Sequence, residues 1–394
     1  MPLVNMRDML DHAYKHGYAV GGFDLVSLDF LEAIIAAAEA ERSPVILSLA
    51  ESHFEYYDFG LAMAAAELAA RQASMPVAIH LDHGASYDSA VRAINAGCNG
   101  VMVDASQASF ADNVALTRKV TAMAHACGVS VEGELGYVAG VEGEDAEKHP
   151  GEVIYTSVEE AKAYVEQTGI DFLAVSVGTV HGRMRGQPSL DFDRLRQINV
   201  VLGIPLVIHG GTGLSDEQFS KLIANGVCKI NYYTALADVA GACIRNNATE
   251  DEKSGYTGLV KGVRDAIRAE VERCMVNWGS SGQAEAVLEY AGVWQPVHHV
   301  IIYNVDKNSV VPIEKMMSEG ESILSRIPGV RRVVTGKAIA ENASYQFCWL
   351  IEFVHQNVID SYRDHPDHVA FANELFRPVA GDRVSIDFEQ SRNK

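Results

Sequence analysis

Short apolar runs rich in β-branched residues alternate with longer segments of helical periodicity through residues 1–250. This alternation is typical of repeated strand–helix units. It predicts eight strands, near residues 18–24, 44–49, 76–82, 100–104, 129–134, 171–177, 205–209 and 227–231. Helices are predicted at 29–41, 59–73, 110–127 and 157–168, with a last one near 256–276 and a long loop at 137–156. Eight such units favour an α/β fold of the (β/α)8 TIM-barrel type over an open doubly wound sheet.

The pattern changes near residue 280, where Gly-Ser-Ser-Gly (279–282) and Pro296 suggest a domain boundary. The elements predicted beyond it are strand 298–305, helix 310–325, strands 330–339 and 345–353, helical region 355–375 and strand 382–388. This β-α-β-β-α-β order is the signature of a small ferredoxin-like α+β domain. We therefore predict a barrel domain over 1–280, a linker over 281–296 and a ferredoxin-like domain over 297–390.

Composition narrows the class of protein. A chain of 394 residues with a formal net charge of −20 is a poor partner for nucleic acid, because phosphate backbones are bound by clustered Lys and Arg. An anionic substrate would need a locally positive site made by a metal, backbone N–H groups or a few cationic side chains. The sequence has no apolar signal core and no uncharged run of membrane-spanning length, and its six cysteines are scattered. We expect a cytoplasmic protein with free thiols and no membrane partner.

Polar residues collect where the predicted strands end. They are Asp24 for strand one, Asp82 and His83 for strand three, Asp104 for strand four, Glu132 and Glu134 for strand five, His181 after strand six, His209 for strand seven and Asn231 for strand eight. The carboxyl ends of the strands form the catalytic face of a TIM barrel. Three histidines facing this mouth predict a shared metal, since neutral imidazoles on rigid strands suit Zn²⁺ with an open coordination position.

Five motifs carry a family resemblance. They are His-Leu-Asp-His-Gly (80–84), Val-Glu-Gly-Glu-Leu-Gly (131–136), Gly-Thr-Val-His-Gly (178–182), His-Gly-Gly-Thr-Gly (209–213) and Lys-Ile-Asn (229–231). In this order they resemble the class II fructose-bisphosphate and tagatose-bisphosphate aldolases, over residues 1–275. The resemblance implies a lyase that cleaves a phosphorylated ketose to dihydroxyacetone phosphate and an aldehyde through a metal-stabilised enediolate. It also implies Zn²⁺ as cofactor, a monovalent cation as an activator, and a homodimer or homotetramer.

The resemblance also implies individual roles. His83, His181 and His209 match the zinc ligands, and Asp104 and Glu134 match an alternative metal position. Asp82 matches the residue that exchanges a proton with the hydroxyl at the cleaved bond, and Glu142 matches the base on the loop. We expect Asn231 to be a catalytic residue as well. From the residues alone, Asp82 could instead orient His83, and Glu142 could be a solvated loop acid.

A phosphate is expected in the loops after strands seven and eight, as in many TIM barrels. The candidate residues are Gly182, Gly210, Gly211, Thr212, Asn231 and Thr234, although the glycine-rich turn could also be a plain strand–helix connection. Asp24 stands where these aldolases usually carry Asn, and its charge would repel a second phosphate. We therefore expect a ketose monophosphate, or an aldehyde without phosphate, unless Arg183 and Arg185 pair with Asp24 or bind the second phosphate.

Two other functions stay open from the sequence. One is a different metal-dependent barrel reaction on a sugar phosphate, such as epimerisation or hydrolysis, in which Lys229 could take part. The other is a binding or regulatory protein that has lost catalysis, although no expected ligand or acid is missing.

The C-terminal domain resembles the stress-responsive dimeric α/β-barrel family. The motifs are His298-His299-Val300, Pro328-Gly329-Val330, and Tyr362 with His365-Pro366 and His368. In that family two ferredoxin-like sheets pair into one closed barrel. We interpret the histidines of this domain as structural or pocket-lining, because no metal-ligand spacing is present. Oligomerisation, a small-molecule pocket and a second enzymatic step all remain possible roles.

Overall fold

The computed structural model describes residues 2–146, 154–183, 188–307, 309 and 311–389, apart from the side chains of Val141 and Glu142. The chain divides into two compact units. The first contains residues 1–90, 98–121 and 130–293, and the second contains 91–97, 122–129 and 294–394. None of the described helices is both long and apolar enough to cross a membrane.

The first unit is a closed barrel of eight parallel strands, which confirms the predicted (β/α)8 fold. The barrel strands are β1 (Val20–Asp24), β2 (Val45–Ala50), β3 (Val77–Gly84), β4 (Gly100–Val103), β5 (Ser130–Leu135), β7 (Phe172–Val175), β9 (Leu206–Ile208) and β10 (Val227–Tyr232). Each strand pairs with its neighbours in the order β1-β10-β9-β7-β5-β4-β3-β2. Nearly every barrel-strand residue is buried, as expected when helices cover a parallel sheet.

Helices surround this barrel. They are α1 (Met6–His16), α2 (Leu28–Glu41), α3 (Phe59–Gln72), α4 (Tyr87–Ala96), α5 (Phe110–Ala126), α6 (Val158–Thr168), α7 (Phe192–Leu202), α8 (Asp216–Ala224), α9 (Thr234–Glu250), α10 (Tyr256–Leu259), α11 (Val263–Asn277) and α12 (Ala284–Tyr290). The predicted helix at 256–276 is divided into α10 and α11 because Gly262 adopts a left-handed backbone, φ 79°. Helix α12 lies within the segment predicted as a linker.

Helix α1 precedes the first strand and closes one end of the barrel. Its apolar face, with Met6, Met9 and Leu10, joins one core cluster with residues near the start of several strands, among them Val20 and Ile46. Because the amino ends of the strands are filled in this way, a site can form only at the carboxyl ends.

The segment predicted as a long loop contains a strand. β6 (Gly140–Asp145) pairs in parallel with β8 (His181–Arg183), with Gly140 opposite His181 and Asp145 opposite Arg183. This two-stranded ribbon joins the loop after β5 to the loop after β7. It therefore fixes the backbone that carries His181.

The second unit is an antiparallel four-stranded sheet with helices on one face, as predicted for a ferredoxin-like domain. Its elements are β11 (Val297–Val305), α13 (Ile313–Leu324), β12 (Val330–Lys337), β13 (Phe347–Phe353), α14 (Val358–Asp364), α15 (Pro366–Phe371) and β14 (Ala380–Glu389). The sheet order is β12-β13-β11-β14. Trp349, Ile351 and Phe353 are buried, whereas the alternate residue Leu350 and its row partner on β14, Ile386, are 45% and 47% exposed. One face of this sheet is therefore open and apolar.

Candidate active site

The end of β3 places two neighbouring residues in one site. Side chains of consecutive strand residues normally point to opposite faces. His83, however, has a left-handed backbone with φ 49°, and the pairing of β3 with β4 shifts register between Leu81 and Gly84. This bulge brings the His83 ring to the same side as Asp82, with His83 Nε2 4.0 Å from Asp82 Oδ2.

His83, His181 and His209 converge as the sequence predicted. One ring nitrogen of each interacts with an oxygen: His83 Nδ1 with Asp104 Oδ2 at 2.8 Å, His181 Nδ1 with the Val138 carbonyl at 3.1 Å, and His209 Nε2 with Glu132 Oε1 at 2.9 Å. The other ring nitrogen of each is buried and has no hydrogen-bond partner among the described residues. Ligand atoms of the three rings lie within 4.8 Å of one another. Metal-binding histidines have this arrangement, with an oxygen fixing the nitrogen that does not bind the ion.

The charge state of two of these rings suits metal binding. Burial lowers the pKa of His181 to about 4 and the pKa of His209 well below its usual value, so both rings are neutral near pH 7. Burial also acts to lower the pKa of His83, but Asp82, Asp104 and Glu134 outweigh it and raise that pKa well above its usual value. A metal ion and a proton would therefore compete for His83, and the same carboxylates attract both.

Asp104 and Glu134 form a second group of possible metal ligands with His83. Their ligand atoms also lie within 4.8 Å of one another, which agrees with the alternative metal position that the family resemblance implied. Burial raises the pKa of Glu134 well above its usual value, and nearby Asp104 adds to this effect. A cation would compensate the repulsion between the two carboxylates.

Asp82 and Asn231 form one buried pair. The Asn231 side-chain amide donates a hydrogen bond to Asp82 Oδ1 at 2.7 Å, and Asp82 Oδ2 has no hydrogen-bond partner among the described residues. Both residues are almost completely buried. Asn231 thus fixes the Asp82 carboxylate and leaves one oxygen able to accept a proton.

Glu132 and Lys229 extend the site behind His209. The Lys229 ammonium donates to Glu132 Oε2 at 2.6 Å, and Glu132 Oε1 is the oxygen that holds His209. The strand-end pattern indicated Glu132 but no role for it, and Lys229 was expected to take part only in a different barrel reaction. The available signal was spacing, because Glu132 and Lys229 lie two residues before Glu134 and Asn231 and share their faces.

The expected phosphate residues lie beside the β6–β8 ribbon. Gly210 has φ 69°, and a β-carbon there would be 2.3 Å from the Val180 carbonyl oxygen. The backbone at Gly210 therefore passes close to the loop after β7. Thr234 begins α9 and accepts a hydrogen bond at its hydroxyl from the Gly143 N–H at 3.0 Å. Gly211 and Thr212 follow β9, and Gly182 lies within β8. The side chain of the proposed base Glu142 lies outside the described residues.

A cavity of about 480 Å³ opens at this end of the barrel. Its lining includes His83, Asp104, Glu134 and His181, together with residues that the sequence analysis did not single out: Ser52, His53, Glu55, Tyr56, Ser106, Gln107 and Glu144. His53 lies three residues beyond the end of β2, in the 3₁₀ turn Glu51–Glu55, and belongs to none of the five family motifs. Tyr233, directly after β10, also lines the cavity.

Asp24 and Arg183 lie apart from this cavity lining. Asp24 is fully buried at the end of β1, opposite Ser48 on β2. Arg183 donates to both carboxylate oxygens of Asp238 and lies 3.5 Å from Asp145, so its guanidinium holds the ribbon instead of pairing with Asp24. Arg185 lies outside the described residues.

Comparison with known proteins covers both units. Residues 4–283 match the family model described as Fructose-bisphosphate aldolase class-II, and residues 297–390 match the Stress responsive A/B Barrel Domain. The chain is 42% identical over 288 residues to the probable fructose-bisphosphate aldolase of Bacillus subtilis, covering 72% of this chain and all of that protein. It is also 42% identical over 289 residues to the fructose-bisphosphate aldolase of Geobacillus stearothermophilus, covering 72% of this chain and 99% of that protein.

Comparison with solved structures also finds aldolases. The YdjI aldolase from Escherichia coli K12 superposes with a TM-score of 0.64 at 30% identity, covering 72% of this chain and 99% of that one. A putative fructose-1,6-bisphosphate aldolase from Coccidioides immitis has a TM-score of 0.64 at 33% identity, covering 72% of this chain and 98% of that one.

Proposed function

The chain belongs to the class II fructose-bisphosphate aldolase family, and we propose that it is a zinc-dependent enzyme that cleaves a phosphorylated ketose to dihydroxyacetone phosphate and an aldehyde. Its activity as an aldolase follows from the family. The metal, the substrate and the roles of single residues are our proposals.

One observation carries the proposal of zinc. Each of the three histidines is anchored by an oxygen at one ring nitrogen and keeps its other nitrogen buried without a hydrogen-bond partner among the described residues. Three imidazoles on rigid elements are a donor set that Zn²⁺ prefers, and His83 would release its proton when the ion binds. His83, His181 and His209 would hold the ion, with Asp104 and Glu134 offering the alternative position.

The chain's own groups would then handle the protons. When bound, the zinc ion supplies the positive charge that stabilises negative charge on the ketone fragment as the carbon–carbon bond breaks. Asp82 would take the proton of the hydroxyl at the cleaved bond through Oδ2, while Asn231 holds its Oδ1. Glu142 on the ribbon would move the carbon-bound proton of the ketone fragment. Gly182, Gly210, Gly211, Thr212, Asn231 and Thr234 would bind the phosphate of that fragment.

The charge around the site supports a substrate with one phosphate. The cavity lining contains four acids, Glu55, Asp104, Glu134 and Glu144, and among the described lining residues there is no Lys or Arg. Asp24 adds a further buried carboxyl group at the end of β1. These carboxylates would repel a second phosphate in the cavity, whereas hydroxyl groups can donate hydrogen bonds to carboxylates.

The C-terminal unit supports an oligomer. Its sheet exposes an apolar face that a second copy could cover, in keeping with a homodimer or a homotetramer. We place the enzyme in the cytoplasm, an assignment supported by its six free cysteines.

The experiment that tests the function uses purified full-length protein. Dihydroxyacetone phosphate is offered with glyceraldehyde or with glyceraldehyde 3-phosphate, before and after metal chelation, in wild type and Asp24→Asn. We expect chelation to abolish condensation, zinc to restore it, and wild type to favour the unphosphorylated aldehyde. Asp24→Asn should shift kcat/KM toward the phosphorylated one. Full activity after chelation, or a covalent adduct trapped by borohydride, would disprove the zinc mechanism. A wild-type preference for the phosphorylated aldehyde that Asp24→Asn leaves unchanged would disprove the role of charge.

A further inference from the structure

A buried histidine lines the active-site cavity and has no part in the chemistry proposed above. His53 lies in the 3₁₀ turn Glu51–Glu55 directly after β2 and is only 4% exposed. Its Nδ1 atom is buried and has no hydrogen-bond partner among the described residues. An unpaired polar atom in such a place is unfavourable unless a ligand or a water molecule pairs with it.

Aromatic packing fixes the orientation of this ring. The centroid of His53 lies 4.4 Å from that of Tyr233 and 6.1 Å from that of Tyr56. Both tyrosines also line the cavity. His53 is therefore held in the cavity wall by ring contacts, and none of the described residues uses its Nδ1 atom.

The lining of the cavity bears on which half of a substrate it receives. It includes His83, His181 and His53, whereas Gly210, Gly211 and Thr212 are absent from its described part. If the ketone fragment places its phosphate at the Gly210–Gly213 loop, the aldehyde fragment extends past the histidines into the cavity. The acids of the lining make that part of the site suitable for an uncharged, hydroxyl-bearing group.

We propose that His53 binds a hydroxyl group of the aldehyde half of the substrate through Nδ1, and that the aldehydes this enzyme prefers carry hydroxyl groups and no phosphate. This inference rests on the proposed aldolase function. A hydroxyl group can both donate and accept a hydrogen bond, so it can pair with Nδ1 in either tautomer of the ring. His53 is thus a specificity-determining residue that contacts substrate away from the bond that breaks.

Two variants separate this role from a purely structural one. His53→Phe keeps an aromatic ring against Tyr233 and removes both ring nitrogens. His53→Asn loses the ring but keeps a polar atom the same number of bonds from Cα as Nδ1. His125→Ala, at an exposed position on α5, is the matched histidine control.

Four measurements are made on each full-length, zinc-loaded protein. Condensation of dihydroxyacetone phosphate is followed with glyceraldehyde and with propanal, which has the same chain length and no hydroxyl groups; glyceraldehyde 3-phosphate gives a third rate. Exchange of the carbon-bound proton of dihydroxyacetone phosphate with solvent deuterium, followed by NMR, needs no aldehyde. It therefore reports the fold and the ketone half of the site.

The expected result is a change of preference. In His53→Phe the ratio of kcat/KM for glyceraldehyde to that for propanal should fall about tenfold, the loss expected for one hydrogen bond. His53→Asn should recover part of that ratio, and His125→Ala should match wild type. Equal losses with both aldehydes, no loss at all, or a wild-type preference for glyceraldehyde 3-phosphate would overturn the inference. Absence of proton exchange in wild type would instead overturn the proposed function itself.

Discussion

The orientation of each histidine ring in the site depends on the oxygen atom that hydrogen-bonds to it. The oxygen partners of the three histidines lie directly after β4, within β5 and in the loop after β5, and are 21, 77 and 43 residues distant in sequence. Each partner selects which ring nitrogen faces the site. Oxygens that orient a histidine in this way contribute to metal affinity even when they do not bind the ion themselves.

Glu132 is the most informative of these partners, because Lys229 holds its second oxygen. We expect Glu132→Gln to weaken zinc binding about 10- to 100-fold, as for other partners of ligating histidines. It should also destabilise the fold by about 3–5 kcal/mol, because Lys229 keeps a buried charge without its partner. Adding Lys229→Met should restore much of the stability but not the zinc affinity.

Chelator competition and denaturant unfolding measure these two quantities separately. Glu217→Gln, which breaks the exposed pair with Lys221, serves as the control and should alter neither by much. Normal zinc affinity in Glu132→Gln would show that the contact with His209 does not position the ligand.

Asp82 supports a second prediction at the scale of one residue. Asp82→Asn can still accept the hydrogen bond from Asn231 but cannot take a proton, so cleavage should fall about 10²- to 10⁴-fold. Zinc content, measured by elemental analysis, should stay the same. If the variant turned over at nearly the wild-type rate, Asp82 would only orient His83.

At the scale of elements, the pairing of β6 with β8 fixes the position of His181. Gly140 has φ 100°, and a β-carbon at this position would lie 2.2 Å from the carbonyl oxygen of His181. Gly140→Ala should therefore push the two strands apart, displace the imidazole and lower both zinc affinity and kcat by at least about tenfold.

A matched glycine exists outside the site. Gly17 has φ 69° and open space where its β-carbon would be, so Gly17→Ala adds backbone strain without a collision. Thermal unfolding should show a loss of stability in both variants, larger in Gly140→Ala because of the added collision, and kinetics should show a loss of catalysis only in Gly140→Ala. Equal activity of the two would mean that the ribbon does not position His181.

The sequence predicted the elements well where hydrophobic period and strand-end chemistry agree. The eight barrel strands and the convergence of the histidines both follow from local patterns. The pairing of β6 with β8 was missed because it depends on contacts distant in sequence. His53 was missed because it lies beyond β2 and outside the family motifs, and because its ring packs on Tyr233, 180 positions later.

At the scale of the whole molecule, the exposed apolar face of the C-terminal sheet predicts how copies of the protein associate. Leu350 and Ile386 both lie beside Val300 in one row across the sheet, and Phe388 continues the same face two residues along β14. Contiguous exposed apolar surface of this kind marks a site of association. It agrees with the paired sheets expected from the resemblance of this unit.

We expect Leu350→Glu combined with Ile386→Glu to shift the protein to a smaller species, because two carboxylates would have to be buried at the contact. Light scattering coupled to size-exclusion chromatography measures the mass. Ile339→Glu is the control, since Ile339 is fully exposed in the turn between β12 and β13. An unchanged mass in the double variant would place the oligomer contact elsewhere.

The left-handed backbone of His83 bears on how the enzyme withstands heat. A non-glycine residue in this conformation costs about 1–3 kcal/mol, and in the metal-free protein the surrounding carboxylates offer it only a proton. An ion that binds the folded barrel and not the unfolded chain offsets this cost in proportion to the logarithm of its free concentration. The metal-loaded protein should therefore unfold at a higher temperature than the metal-free protein. If the ion is zinc, as proposed above, a cell short of zinc would lose this aldolase to unfolding and degradation as well as to inactivity, so the amount of enzyme would follow the supply of the ion.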